Sequence, residues 1–158
     1  MFLERAEKMA NQLIERLAPY CSRIQVAGSI RRKAPDPKDI DLVLIPSDPW
    51  NLSHEVNNLT RPFTPKVSGD KLKRFNYKGT QVDLYFARKD TWATLLLIRT
   101  GSAENNILLC SLAKTKGWHL AASGDGLFNE KGERIAGDSE ESIYLALGLP
   151  YQAPEERG

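Results

Sequence analysis

The sequence predicts an α+β fold, with a small mixed sheet and helices in residues 1–100 and a smaller α/β region in residues 101–158. Three observations support this prediction. Residues 2–18 have an amphipathic helical pattern, apolar and polar residues alternate in strand-like runs at 39–45 and 81–86, and short strands with turns follow residue 100. A chain of 158 residues with 41% hydrophobic content is long enough to bury a core.

The elements follow in order from periodicity and turn residues. Apolar residues recur at helical spacing from Phe2 to Ala18, and Pro19 ends that helix. The first half then predicts a strand near 23–27, a loop at 33–38, a strand at 39–45, a helix at 49–59 and two or three antiparallel strands within 66–88. The second half predicts helices at 91–98 and at about 103–116, short strands at 118–122 and 126–128, and a capped helix at 138–147.

Composition excludes several classes of protein. No apolar run approaches the roughly 20 residues that span a bilayer, so we expect no membrane association. Cys21 and Cys110 have no metal-ligand spacing, which favours two free thiols in a reducing compartment. We therefore expect a cytoplasmic protein, in the host cytoplasm if it is viral. A net charge of +2 implies that any basic surface is local.

Three aspartates lie on the polar faces of the predicted strands. Asp39 and Asp41 are two residues apart, so their carboxylates leave the same face of an extended strand. Asp83 lies on the polar face of the strand at 81–86. Adjacent like charges are costly unless a cation neutralises them. The alternative for Asp39 is a cap at the strand start, and for Asp83 a solvated edge residue.

A second motif lies ten residues upstream of this pair. Gly28-Ser-Ile-Arg-Arg32 combines a small-residue turn with guanidinium groups suited to phosphate. Together with the acidic pair it indicates metal-assisted phosphoryl or nucleotidyl transfer. Such a reaction uses two divalent ions roughly 3.5–4 Å apart. Three carboxylates suffice to hold them if the two aspartate strands are neighbours.

The ordered motifs resemble those of a known family. Gly28-Ser29 followed by Asp39-Ile-Asp41 is similar to the signature of the nucleotidyltransferase superfamily. With Val82-Asp-Leu84, Thr100-Gly-Ser102 and Asn106 added, the string resembles the family X DNA polymerases of the polymerase-beta type. The tail, from Gly126-Leu-Phe128 to Pro154-Glu-Glu-Arg157, resembles the end of that family's thumb subdomain.

The resemblance implies a domain organisation. It implies a polymerase-beta-like palm at residues 1–100 and a thumb subdomain at 101–158. Because the similarity begins near residue 3, the N-terminal lyase domain and the fingers domain of the family are expected to be absent.

The resemblance also implies the roles of the site residues. Asp39 and Asp41 would bind both ions, Mg²⁺ or Mn²⁺, while Asp83 would join them at the catalytic ion, near the primer 3′-hydroxyl. The residues that would contact the nucleotide are Gly28, Ser29 and Arg32 at the triphosphate, Gly101 and Ser102 beneath the nucleotide, and Asn106 at the minor-groove edge of the base pair. The alternative for Asn106 is a solvated helix residue.

Three positions depart from the family pattern. Ile98 and Arg99 occupy the positions of an aromatic pair near the sugar, and Cys110 replaces an arginine that reaches the template strand. We therefore expect weaker exclusion of ribonucleotides and more mispairs.

A basic stretch follows the second predicted turn. Five cations crowd it, interleaved with Phe75 and Tyr77: Lys66, Lys71, Lys73, Arg74 and Lys78. Strand alternation places the residues at 71, 73, 75 and 77 on one face and Arg74 on the other. A run of charges is usually only a solvated surface. Next to a site that acts on a polyanion, we predict contacts with DNA phosphates instead.

These features predict an enzyme, a DNA-directed DNA polymerase that extends a primer and fills short gaps during DNA repair. Its partners would be gapped primer-template DNA and a nucleoside triphosphate, and it would act as a monomer. The alternatives are an untemplated or RNA-directed nucleotidyltransferase and a non-catalytic nucleic-acid-binding module.

Overall fold

A computed structural model describes all 158 residues. The first part contains α1 (Leu3–Leu17), β1 (Cys21–Val26), α2 (Gly28–Arg31), β2 (Ile40–Pro46), α3 (Pro49–Thr60), β3 (Val67–Ser68), β4 (Leu72–Tyr77), β5 (Thr80–Phe86) and α4 (Trp92–Thr100). The second contains α5 (Ala103–Thr115), β6 (His119–Ala121), β7 (Gly126–Phe128), β8 (Arg134–Ala136) and α6 (Glu140–Ala146). Short 3₁₀ turns lie at Ala18–Tyr20 and Pro154–Glu156.

The five N-terminal strands form one mixed sheet in the order β1-β2-β5-β4-β3. The β2–β5 pair is parallel and the other three pairs are antiparallel. The predicted α+β fold with a small mixed sheet is therefore confirmed.

Helices cover both faces of this sheet. On one face, the apolar side of α1, which includes Leu13 and Leu17, packs with α3 against Ile40, Leu42 and Leu84. On the other face, Trp92 and its neighbours in α4 pack against Val43. The pleat alternates along β2, so Asp41 leaves on the α4 side while its apolar neighbours enter the α1 core.

The second part has a small core of its own. The antiparallel sheet β6-β7-β8 packs with α5 and α6, and Leu97 and Ile98 at the end of α4 enter the same cluster. The helix α4 thus contributes to the cores on both sides of residue 100. The division into 1–100 and 101–158 stays a prediction.

Some local predictions need correction. Gly28 and Ser29 begin the short helix α2 rather than a turn, and the strand β8 was not predicted. Phe75 and Tyr77 are buried in the α1 core and do not form a surface with the neighbouring lysines. None of the helices is both long enough and apolar enough to cross a membrane.

Candidate functional site

The three predicted aspartates come together at one end of the β2–β5 pair. Asp41 in β2 lies directly opposite Asp83 in β5, and Asp39 precedes β2 by one residue. The two aspartate strands are therefore neighbours, which is the condition for a site shared by the three carboxylates. Burial, together with the negative charges of Asp83 and Asp39, raises the pKa of Asp41 to about 6.

The carboxylate of Asp83 already has partners within the protein. The Arg74 guanidinium donates to it from Nε at 2.7 Å and from Nη2 at 3.2 Å, and the Tyr85 hydroxyl donates at 3.3 Å. No group of three or more His, Cys, Asp or Glu residues is arranged to hold a metal ion.

Asp41 differs from Asp83 in this respect. No protein group is hydrogen-bonded to the Asp41 carboxylate, although it is largely buried beside two other acids. Oxygen donors of this kind suit Mg²⁺ or Mn²⁺. Asp39 and Asp41 therefore fit a divalent cation as they stand, whereas Asp83 fits it only when Arg74 withdraws.

Gly28 permits close packing of the start of α2 against Asp41. Its φ of +60° is left-handed, and a Cβ at this position would lie 2.1 Å from Asp41 Oδ2. Only glycine meets both conditions without strain. The start of α2 is thereby held against the carboxylates, which brings Ser29 and Arg32 to the same opening.

One cavity of about 620 Å³ contains most of the predicted site. This volume is within the roughly 300–1,000 Å³ typical of small-molecule sites. The predicted residues that line it are Gly28, Ser29, Arg32, Asp39, Asp41, Gly101, Ser102 and Asn106. Asp83 does not line it, because that residue is buried beneath Arg74.

Eight further residues line this cavity, among them Tyr85, Ile98 and Arg99. The Arg99 guanidinium lies 4.3 Å from the centre of the Tyr85 ring. Tyr85 follows Asp83 by two residues, so strand alternation could have placed it on the aspartate face. Its stacking with Arg99 depends on how α4 packs on the sheet.

The turn between α4 and α5 holds Asn106 in a fixed position. Asn106 Nδ2 donates to the Ile98 carbonyl at 2.8 Å, and its Oδ1 is buried without a partner. A Cβ on Gly101 would lie 2.7 Å from that Oδ1. Asn106 is thus half-buried and anchored, not a solvated helix residue. A contact of Asn106 with a base stays a prediction.

Arg32 joins the two sides of the cavity. Its Nη1 donates to the Thr100 carbonyl at 2.9 Å, so the α2 loop is bonded to the end of α4. Since that bond uses one of the five guanidinium N–H groups, others stay available for an anion.

A buried ion network, absent from the sequence predictions, supports this connection from behind. Glu140 accepts hydrogen bonds from Arg31 and from Arg157, whose side chain is fully buried. Burial raises the pKa of Glu140, but the hydrogen bonds and charges of Arg31 and Arg157 outweigh it, so the pKa lies below its usual value. The Arg157 carbonyl also accepts from Ser102 N at 2.9 Å.

Comparison with known proteins agrees with this architecture. The profile of the DNA polymerase beta thumb family matches residues 95–158. The DNA polymerase/3′-5′ exonuclease PolX of Bacillus subtilis (strain 168) is 29% identical to the chain, over 96% of the chain and 27% of that protein. DNA polymerase lambda of Rattus norvegicus is 36% identical over 49% of the chain and 15% of that protein.

The chain is thus similar to DNA polymerases of the PolX, lambda and beta types. The crystal structure of Leishmania infantum polymerase beta in a ternary P/T complex has the same fold, with a TM-score of 0.84 over 100% of this chain and 76% of that one, at 21% identity. The chain spans 27% and 15% of the two curated relatives.

At the positions that depart from the family X pattern, Ile98 is 6% exposed in the second core, while Arg99 is exposed beside Tyr85. Cys110 is half-buried, with its Sγ 4.0 Å from the Leu120 carbonyl oxygen. Weaker exclusion of ribonucleotides and more frequent mispairs stay predictions.

None of the five basic residues predicted to contact DNA lines the cavity. Lys73 Nζ donates to Ser53 and Ser68, and Lys78 lies over the Tyr77 ring. Arg74 lies on the opposite face from Lys73, as alternation predicts, but its guanidinium is bound to Asp83. The contacts of all five residues with DNA phosphates stay predictions.

Proposed function

We propose that this chain contains the nucleotidyl-transfer site of a DNA-directed DNA polymerase that extends a primer 3′-hydroxyl and fills short gaps during repair. The main support is the β2–β5 register, which puts Asp83 beside Asp41, and Asp41 lines a cavity together with Ser29, Arg32 and Asn106. The similarity to family X DNA polymerases is consistent with this activity.

The proposal requires two divalent ions, Mg²⁺ or Mn²⁺. Asp39 and Asp41 would hold both, and Asp83 would join at one of them. When bound, the ions neutralise triphosphate charge and activate the attacking hydroxyl.

The remaining residues bind and orient the substrate. Arg32 and Ser29 offer hydrogen-bond donors to phosphate oxygens, and Arg32 is pre-oriented by its bond to the Thr100 carbonyl. Asn106, anchored to Ile98, would present its amide to the nascent base pair. Because these groups are fixed before substrate arrives, little ordering free energy is lost on binding.

Primer extension tests the proposal. Labelled primers on gapped, nicked and blunt DNA are incubated with each dNTP and with Mg²⁺ or Mn²⁺. Asp41→Asn and Asp83→Asn keep side-chain shape but remove a charge, so each should lower the rate by about 100-fold or more. Asp138→Asn, which changes an exposed carboxylate outside the cavity, is the matched control.

The outcomes separate the alternatives. Extension that needs no template would indicate an untemplated transferase, and extension on RNA alone an RNA-directed one. Duplex binding with no nucleotide addition by the wild-type chain would indicate a non-catalytic module. Undiminished extension by Asp41→Asn would contradict the metal assignment. The monomeric state and cytoplasmic location complete the proposal, and sedimentation equilibrium tests the first of them.

A further inference from the structure

Arg74 binds the Asp83 carboxylate, which a metal ion would also have to bind. The β4–β5 register puts Arg74 directly opposite Asp83, just as the β2–β5 register puts Asp41 opposite it from the other side. Asp83 therefore has an anionic neighbour, Asp41, on one adjacent strand and a cationic neighbour, Arg74, on the other. The side chain of Asp83 is 6% exposed and that of Arg74 is 35% exposed, so the guanidinium covers the carboxylate from the solvent side.

The hydrogen bonds leave little of Asp83 available. An ionised carboxylate has about four acceptor positions. Arg74 uses both oxygens through a two-pronged contact, and the Tyr85 hydroxyl adds a third bond to Oδ2. The charge of Arg74 also compensates Asp83, which weakens its attraction for a second cation.

We propose that Arg74 is a positioning residue that competes with a divalent cation for the Asp83 carboxylate. In the protein without metal, Arg74 holds the Asp83 carboxylate in place beside Asp41. The third carboxylate joins a metal only when the Arg74–Asp83 ion pair opens. This inference rests on the proposed function, because it assumes that the aspartates bind metal.

Direct Mn²⁺ binding tests the competition without any activity measurement. Free Mn²⁺ is followed by electron paramagnetic resonance during titration of the 158-residue chain, with no nucleotide or DNA present. Arg74→Gln removes the charge and the fork, so its apparent Kd for Mn²⁺ should fall about tenfold, a typical size for coupling between linked binding events. Arg74→Lys keeps the charge but not the fork and should give an intermediate Kd.

Thermal unfolding gives a second readout. In EDTA, Arg74→Gln should lower the Tm, because it leaves Asp83 buried without a counter-charge. Saturating Mn²⁺ should raise the Tm of Arg74→Gln by more than it raises that of the wild type. Arg16→Gln removes a similar arginine–carboxylate pair between α1 and α3, outside the cavity, and should leave Mn²⁺ affinity unchanged.

Two results would overturn the inference. Equal Mn²⁺ affinity in wild type and Arg74→Gln would mean that the ion pair does not compete. Weaker binding by Arg74→Gln, folded by circular dichroism, would mean that Arg74 orients Asp83 in favour of the metal. Asp41→Asn distinguishes failure of the proposed function, since wild-type Mn²⁺ affinity in that variant would place the ion elsewhere whatever Arg74 does.

Discussion

Replacement of Arg157 by methionine should be among the most destabilising single changes in this protein. Arg157 has no exposed side-chain surface and lies in the C-terminal segment. Its Nη1 donates to Glu140 at 2.5 Å and its Nε to the Gln152 carbonyl at 3.0 Å. The guanidinium also lies 5.4 Å from the ring centre of Tyr144. Methionine has a similar length but supplies neither charge nor donor.

The magnitude follows from what the substitution leaves behind. Removal of one partner of a buried ion pair typically costs about 3–5 kcal/mol. Glu140 keeps two hydrogen bonds from Arg31, so the lower end applies. A loss of about 3 kcal/mol corresponds to a Tm decrease of roughly 6–12 °C for a chain of this size. That loss is a large part of a typical stability of about 5–15 kcal/mol.

Urea denaturation followed by circular dichroism measures the effect. Arg16→Met, which breaks a more exposed arginine–carboxylate pair, should cost less than about 1 kcal/mol. A double-mutant cycle of Arg157→Met and Glu140→Gln should give a coupling free energy between the two residues above about 1 kcal/mol. If the free energy of unfolding of Arg157→Met lies within about 1 kcal/mol of the wild-type value, the network stabilises the fold no more than an exposed ion pair does, and our argument is wrong.

Three further predictions concern the site and its surroundings. Gly28→Ala should cost at least about 2 kcal/mol and weaken Mn²⁺ binding, because left-handed strain adds to a 2.1 Å clash with a β2 carboxylate oxygen. Gly79→Ala, also at positive φ but with no atom within 4 Å, controls for strain alone. Burial raises the pKa of Glu140, but the Arg31 and Arg157 guanidinium groups lower it by more, so the net pKa lies below 4.5. The stabilising contribution of Glu140 is therefore present above pH 4.5 and is lost as the pH falls through the lowered pKa. The Tm difference between wild type and Glu140→Gln should therefore shrink below pH 4.5, and a constant difference down to pH 3 would contradict this. Lys71→Ala with Lys73→Ala should reduce the slope of log affinity against log salt by about two for duplex DNA, and an unchanged slope would indicate an ordinary solvated surface.

Local patterns determined much of the site from the sequence. Alternation alone shows that Asp39 and Asp41 share a face and that Asp83 lies on the polar face of its strand, because the side-chain period of a strand is two. Helical spacing likewise predicts α1 and the buried positions on it. The Gly28-Ser29 motif is also local, since the left-handed glycine and its close approach to Asp41 lie within 14 residues of chain.

Contacts between residues on different elements could not be predicted from local patterns. Sequence periodicity assigns Arg74 to a face, but it cannot say which residue of the next strand lies opposite, because register depends on turn geometry and core packing. For the same reason, the stack of Arg99 on Tyr85 depends on the position of α4 over the sheet.

The sequence by itself determined the chemistry available at the site: three carboxylates, a glycine-serine loop and two guanidinium groups in a fixed order. Only the tertiary structure decided how that chemistry is arranged. Arg157 is fully buried, which is rare for an arginine without a partner, and here the Glu140 carboxylate is hydrogen-bonded to it. It also paired Asp83 with Arg74, because strand register joins residues nine apart in the chain at hydrogen-bond distance.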